Sequence, residues 1–417
     1  MSPSKSTLSR RKWLQGAALG GISAALAPAL WAKGAAKPRM VDLGLPDKPS
    51  LRPLTRAFPQ KGEMILQRMR PPLLETPMAV FDQHILTPND QFYVRWHWGN
   101  IPESVDVDAF RLKIRGHVER EVEFTLHDLL HGFERIEVVA VNQCSGNSRG
   151  MFQPSVAGAE WGHGAMGNAR WTGVRLRDVL ARAGVKAGAV DVRFGGLDEA
   201  MVAEAPKFLK SLSVDHACDG EVMIAFAMNG EPLPLLNGFP LRLVVPGWYS
   251  TYWIKMLSDI EVLPAKDSNF WMAKAYQVPA TPFGHVAPGT ADFPKEPISR
   301  MVPRSLLTNL AEGQKVRAGT PLTLSGIAMG GDCGVEKVEI SIDGGEHWNL
   351  ATLGKDLGPY SFRRFTHQVN LPEGVVKILC RCTNTKGISQ PLTMNWNPNG
   401  YMRAGVETVT IHAEKRA

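Results

Sequence analysis

Asn142-Gln143-Cys144-Ser145-Gly146-Asn147-Ser148-Arg149 follows directly on an apolar run at 136–141. Such a run reads as a β-strand, and the small polar residues around Gly146 let the backbone turn sharply beyond it. The thiol of Cys144 is thereby carried to a strand end, where loops on a rigid scaffold hold most functional groups. A metal bound there would deprotonate the thiol outright. The residues alone leave three readings: a cofactor or metal ligand, a nucleophile, and an inert buried thiol. No local protease signature supplies the histidine that a nucleophile would need.

Outward from this stretch, between about 76 and 265, strand-like runs such as 110–114 and 136–141 alternate with short helical ones such as 176–183. The pattern predicts a mixed α+β domain. No Gly-x-Gly-x-x-Gly follows a strand, so no dinucleotide site is expected. Residues 266–300 hold many Pro and Gly residues and read as a connection long enough to suggest function. Beyond 303, short alternating strands recur at 321–327, 335–342, 347–353, 361–369, 374–382 and 407–413, with Asp343-Gly344-Gly345 fitting a tight hairpin. That spacing predicts an all-β, immunoglobulin-like sandwich. The expected fold class is thus α+β, with a mixed α/β domain at 76–295 followed by a sandwich at 296–417. Residues 33–75, rich in Pro and basic side chains, are expected to form an extended surface arm.

The chain has 417 residues, 44% of them hydrophobic and 21% charged, which suits a globular protein with two cores. Residues 1–32 contain Ser9-Arg10-Arg11-Lys12-Trp13-Leu14 and then an apolar Gly/Ala-rich stretch, the pattern of a twin-arginine export signal. The stretch is too short and too diluted for a membrane span. A periplasmic protein, exported folded with a cofactor already inserted, is expected; neither a membrane nor a nucleic-acid partner is. The formal charge of +7 falls to roughly +3 without that segment, and no long Lys/Arg block remains to bind nucleic acid. Five cysteines, at 144, 218, 333, 380 and 382, leave at least one thiol unpaired or coordinated in an oxidising compartment. Without Cys-x-x-Cys-His, no haem is expected on this chain. Cys380-Arg381-Cys382 reads as structural thiols rather than a zinc site.

The stretch around Cys144, together with Phe92-Tyr93-Val94-Arg95-Trp96-His97, resembles the sulfite oxidase family of molybdopterin enzymes. The likeness continues through Ala169-Arg170-Trp171-Thr172-Gly173-Val174, Arg193-Phe194-Gly195-Gly196-Leu197-Asp198 and Met228-Asn229-Gly230-Glu231-Pro232-Leu233-Pro234. It extends over Gly238-Phe239-Pro240-Leu241-Arg242-Leu243 and the Ser341-Ile342-Asp343-Gly344-Gly345 hairpin of the family's C-terminal dimerisation domain. Bacterial periplasmic sulfite dehydrogenases that reduce cytochrome c are the members it resembles most.

The resemblance implies that Cys144 is the one protein ligand to molybdenum carried by molybdopterin, for which a soft sulfur donor is suited. It places Arg95, Arg149, Trp161, Tyr276 and His97 in the substrate pocket, and His97, Asp198, Asn237, Arg242, Trp253 and Lys255 on the cofactor. Guanidinium groups bind a small oxyanion through paired, charge-assisted hydrogen bonds. The implied reaction is oxidation of sulfite to sulfate, with electrons passing singly to a separate c-type cytochrome. The alternatives are a sulfur dehydrogenase acting on protein-bound sulfur and a methionine sulfoxide reductase. A homodimer, or a heteromer with a cytochrome subunit, is expected. Two departures stand out. Asn237 replaces a histidine of the animal members, and Ala404-Gly405-Val406-Glu407-Thr408 lacks their further pocket arginine, whose charge His97 or another residue is expected to supply.

Overall fold

In the computed structural model, which describes residues 38–415, the apolar run before Cys144 lies in the strand Arg135–Gln143. The expected export signal lies outside the described residues. Arg135–Gln143 pairs antiparallel with Met166–Arg175, which pairs in turn with Met223–Met228. Glu231–Pro232 and Arg242–Val244 complete this sheet. Trp171 ties it together: wholly buried, it donates from Nε1 to the carbonyl of Ala140 at 3.0 Å and packs edge-on against Phe92 and Trp253. Truncating such a side chain typically costs about 3–5 kcal/mol.

A second sheet runs Leu209–Ser213, Asp191–Gly196, Leu257–Leu263, Leu112–Gly116, Val122–Phe124. Its one parallel pairing joins Leu257–Leu263 to Leu112–Gly116. The helix Leu176–Ala183 falls where the periodicity predicts it, burying Leu176, Val179, Leu180 and Ala183, and stops at Gly184, whose φ of +71° favours glycine.

Residues 33–75 differ from the expected arm. From Met40 they form an antiparallel meander of Met40–Asp42, Leu51–Thr55, Met64–Arg68 and Leu73–Glu75, closed by Val94–Arg95. Met64, Leu73 and Leu74 are buried; Met64 and Leu74 pack with Val94 and Trp96, while Leu73 points to the opposite face. The strands are only three to five residues long and separated by Pro-containing turns, so their alternation is too brief to register as a pattern.

Beyond residue 303 two sheets face each other: Arg304–Leu307, Pro321–Met329, Arg363–Asn370 and Thr352–Leu353 on one side, and Lys315–Arg317, Thr408–Glu414, Gly374–Asn384, Val335–Ser341 and Asn349–Leu350 on the other. Leu324, Val338, Ile340, Ile378, Cys380, Cys382 and Ile411 fill the space between them. The fold class is therefore a mixed α+β domain followed by an all-β sandwich. The connection at Asp343-Gly344-Gly345 is wider than a tight hairpin. Asp343 Oδ1 accepts the backbone N–H groups of Glu346 and His347, at 3.1 and 3.0 Å, and this closes an eight-residue excursion between Ile340 and Asn349. From Met40 onward the chain forms a single compact unit. The stretch after the long strand Gly374–Asn384 returns to the first domain, where Asn397 donates to the carbonyl of Gly284. No helix among the described residues is long and apolar enough to cross a membrane.

Candidate active site

The strand Arg135–Gln143 ends in register with Met166, and the next residue, Cys144, donates its N–H to the carbonyl of Ala165 at 2.9 Å. The chain then turns on itself: Asn147 N–H reaches the Cys144 carbonyl and Arg149 N–H the Gly146 carbonyl. Ser148 sits in the left-handed region, at φ +65°, a conformation a non-glycine residue holds only when its surroundings enforce it. Asn147 Oδ1, which accepts the N–H of Ala165, supplies one such restraint, and Ser148 N–H, bonded to the Gly162 carbonyl, another. The turn leaves Cys144 and Arg149 beside each other.

Cys144 stands where two cavities meet. The inner one is walled by Arg95, His97, Asn237, Arg242, Trp253, Lys255 and Tyr276. The outer one is an open cleft bounded by Arg149, Trp161 and Tyr401, and Arg95, Cys144 and Tyr276 border both.

The inner cavity is built for a polar, anionic occupant. Arg95 Nη1, Ser145 Oγ, Thr251 Oγ1 and Arg242 Nε are buried without a hydrogen-bond partner, and each belongs to a residue on its wall. Leaving such groups unpaired costs roughly 1–3 kcal/mol each, so a ligand that satisfies them gains that much. Burial pushes the Lys255 ammonium down to about 7, with Arg242 and Arg95 adding to the effect and Asp198 opposing it. Arg242 is likewise lowered to about 10 by burial. Bringing a phosphate to this wall would raise both values and hold Lys255 in its charged form, while Arg242 is charged already. Asp198, 4% exposed, has its carboxyl raised by burial against the pull of Lys255. Lys255 Nζ also lies 4.2 Å above the ring of Trp96.

Asn237 is oriented from both sides: its Nδ2 donates to the Tyr93 carbonyl at 3.1 Å, and its Oδ1 accepts from Lys61 Nζ. Lys61 comes from the N-terminal meander region and is buried. Trp253 is buried, with Nε1 bonded to the Trp248 carbonyl at 3.0 Å and its ring 5.9 Å from the Arg242 guanidinium.

In the outer cleft, Arg149 is held by its Nε bond to the Asn399 carbonyl, 3.0 Å, and by the face of Tyr401, 5.0 Å away. Gly146, Gly158 and Gly400 cradle it; a Cβ on Gly146 would stand 2.3 Å from Arg149 Nη2. Trp161 is wholly buried and its carbonyl accepts the N–H of Gly150, fixing the floor of the cleft. Tyr276, at φ +57°, places its hydroxyl oxygen 2.5 Å from His97 Nε2. Burial raises the Tyr276 phenol well above its ordinary range, so it stays protonated.

His97 does not supply the missing cation. Burial, reinforced by Arg95, Lys255 and Lys210, holds its pKa well below 6.5, and its ring lies 3.5 Å from that of Phe208, so it is neutral. It also lies beyond the two-residue strand Val94–Arg95 rather than on a shared strand face with Arg95. Sequence reasoning missed Lys61, Phe208, Lys210, Asn399 and Tyr401, which come from three separate parts of the chain. Lys210 is wholly buried, bonded to the Trp271 carbonyl at 2.8 Å and 4.4 Å from the Tyr252 ring centre, and burial lowers it to about 7. Isolated Lys, Phe and Tyr residues carry no motif that would have marked them.

Comparison with known proteins agrees with this geometry. Residues 98–271 match the model of the oxidoreductase molybdopterin binding domain, and 295–414 that of the Mo-co oxidoreductase dimerisation domain. The sulfite oxidase of Gallus gallus is 31% identical over 362 residues, covering 82% of this chain and 77% of that protein. The chain belongs to the sulfite oxidase family of molybdopterin enzymes. Another relative, the mitochondrial sulfite oxidase of Homo sapiens, is 33% identical over 82% of this chain, which spans 64% of that protein's length. The nitrate reductase [NADH] 1 of Oryza sativa subsp. japonica is 29% identical over 79% of this chain and 38% of its own. Among solved structures, the sulfane dehydrogenase SoxCD of Paracoccus pantotrophus has the same fold, with a TM-score of 0.72 at 24% identity over 93% of this chain and 97% of that one. The chain thus carries an oxidoreductase molybdopterin binding domain, and the cations and unpaired donors of its inner cavity fit such a cofactor.

Proposed function

We propose that this protein oxidises sulfite to sulfate at molybdenum held by the Cys144 thiolate, and passes the electrons singly to a separate c-type cytochrome. The observation that carries the reading is the position of Cys144 at the junction of a cation-walled cavity and an arginine-lined cleft. Sulfite and water yield sulfate, two electrons and two protons. When bound, the molybdenum–molybdopterin group supplies the two-electron redox chemistry and the oxygen transfer.

The rest falls to the side chains. Arg242, Lys255 and Asn237 hold the cofactor's polar groups, Asp198 offers a carboxylate to its ring edge, and Trp253 packs beside them. Arg149 and Arg95 bind the substrate oxyanion with fixed, charge-assisted donors, preorganised because the protein has already oriented them. With His97 Nε2–H donating to the Tyr276 oxygen, the protonated phenol keeps its own O–H to donate into the same space. Trp161 and Tyr401 line the same cleft and supply its aromatic surface.

The same reading places the protein in the periplasm after twin-arginine export, and pairs two copies through residues 296–417. Purified protein supplied with free sulfite and cytochrome c, with molybdenum measured on the same sample, tests it. Stoichiometric metal with sulfite-dependent cytochrome reduction is expected. Metal without that reduction would shift the substrate to protein-bound sulfur or an oxidised thioether.

A further inference from the structure

The N-terminal meander contributes to the outer cleft as well as to the fold. Arg68 ends the strand Met64–Arg68 opposite Leu73, and Leu73 lies opposite Arg95 on the next strand. Directly paired residues of antiparallel strands project to the same face, so Arg68, Leu73 and Arg95 share one rung and one side of the sheet. All three border the outer cleft with Cys144 and Arg149. Across two strand spacings, roughly 10 Å, two guanidinium groups converge on a space suited to one small oxyanion.

Arg68 is also free to bind. The meander's other cleft arginine, Arg52, is committed: its guanidinium bonds Gln67, the carbonyls of Pro49 and Leu51, and the Glu160 carboxylate at 2.8 Å. That ion pair neutralises the one acid on the cleft wall. Arg68, by contrast, makes only a long Nε contact to the Pro71 carbonyl, 3.4 Å, and no ion pair among the described residues. Its terminal nitrogens are left to solvent beside Arg95. Asn399, at the rim of the cleft, contributes its carbonyl to Arg149 and no charge of its own.

We propose that Arg68 is the entry cation of the substrate cleft: it captures the incoming dianion and hands it to Arg95 and Arg149, filling the charge that the C-terminal segment lacks. The proposal rests on the reading of the substrate as a sulfur oxyanion. An exposed arginine that steers substrate changes capture without changing the chemical step.

The test is Arg68→Gln and Arg68→Lys in the holoenzyme, with steady-state kinetics on sulfite and calorimetric titration of sulfate. Arg68→Gln is expected to raise KM at least fivefold with kcat within twofold, to weaken sulfate binding by a similar factor, and to leave the melting temperature unchanged. Arg68→Lys should recover most of the loss, because a point charge suffices for steering. A KM within 1.5-fold of wild type, with sulfate affinity unchanged, would overturn the proposal. So would equal losses in kcat and melting temperature, which would mark Arg68 as structural. If the wild-type protein did not turn over sulfite, the functional reading would fall, while the sulfate titration would still decide whether Arg68 captures an anion.

Discussion

His97 Nε2 and Tyr276 Oη lie 2.5 Å apart, although 179 residues separate them in the chain. Phe208 stacks on the imidazole, and Trp271 meets it edge-on and lies tilted against the Tyr276 ring, so both partners are packed in place. The phenol keeps its proton and the imidazole stays neutral, which makes Tyr276 the donor toward any anion that approaches Cys144. Tyr276→Phe removes the hydroxyl and leaves the aromatic packing. Its kcat/KM for sulfite is expected to fall about 10–100-fold, with a melting temperature close to wild type; unaltered kinetics would remove Tyr276 from the substrate site.

Cys144 is 6% exposed at the junction of the two cavities, and its backbone is already fixed by the sheet. Cys144→Ser should leave the circular dichroism spectrum unchanged. Molybdenum content in the purified protein and turnover should both collapse. Wild-type metal content in this variant would show that the metal is held elsewhere.

The glycines around Arg149 leave the guanidinium its space. Gly146→Ala would set a methyl group 2.3 Å from Arg149 Nη2, forcing the side chain off its contacts with Asn399 and Tyr401. A KM for sulfite about tenfold higher is expected, on the order of 1.4 kcal/mol of lost binding, with molybdenum content near wild type. Equal KM values would mean that Arg149 does not touch the substrate.

Behind the Cys144 turn, His163 Nδ1 accepts from Ser148 Oγ at 2.7 Å and faces Arg304, which is paired with Glu407 at 3.0 Å. Burial lowers His163 to about 4 against the attraction of Glu407, and Arg304 and Arg403 add to the fall. The unfolded chain takes up this proton near pH 6.5, whereas the folded protein refuses it until about pH 4. Stability from this group is therefore complete above pH 6.5 and is lost as pH falls toward 4, by on the order of 2 kcal/mol. Urea unfolding at pH 7 and pH 5 should show the loss, and His163→Gln should flatten it. An undiminished pH slope in that variant would assign the effect to other groups.

Glu407 lies between two arginines, bonded to Arg403 at 2.7 and 2.9 Å as well as to Arg304. Burial alone would raise its carboxyl, but Arg403, His163 and Arg304 together hold it well below the ordinary carboxylate range. Glu407→Gln leaves two buried guanidinium groups uncompensated, and a loss of about 3–5 kcal/mol is expected in the same unfolding assay. A loss below about 1 kcal/mol would show that solvent screens the cluster.

The amino-acid sequence was enough to place the chemistry on Cys144 and to group Arg95, Arg149 and Lys255 with it, because each lies inside a contiguous motif whose residue types are constrained one after another. The helix at 176–183 and the sandwich strands were legible for a similar reason: their apolar residues repeat at the period of the element over several turns or rungs. Local order of this kind is written along the chain. The meander at 40–75 escaped notice because its strands are too short to show a period.

Tertiary structure alone decided that Lys61 would brace Asn237, that Tyr401 would cover Arg149, and that Arg68 would share a rung with Arg95. It also decided that His97 would be neutral, since that depends on which cations and rings close around it. A pKa and a pocket wall are set by neighbours in space, drawn here from the first hundred residues and the last twenty, and no linear pattern records that proximity.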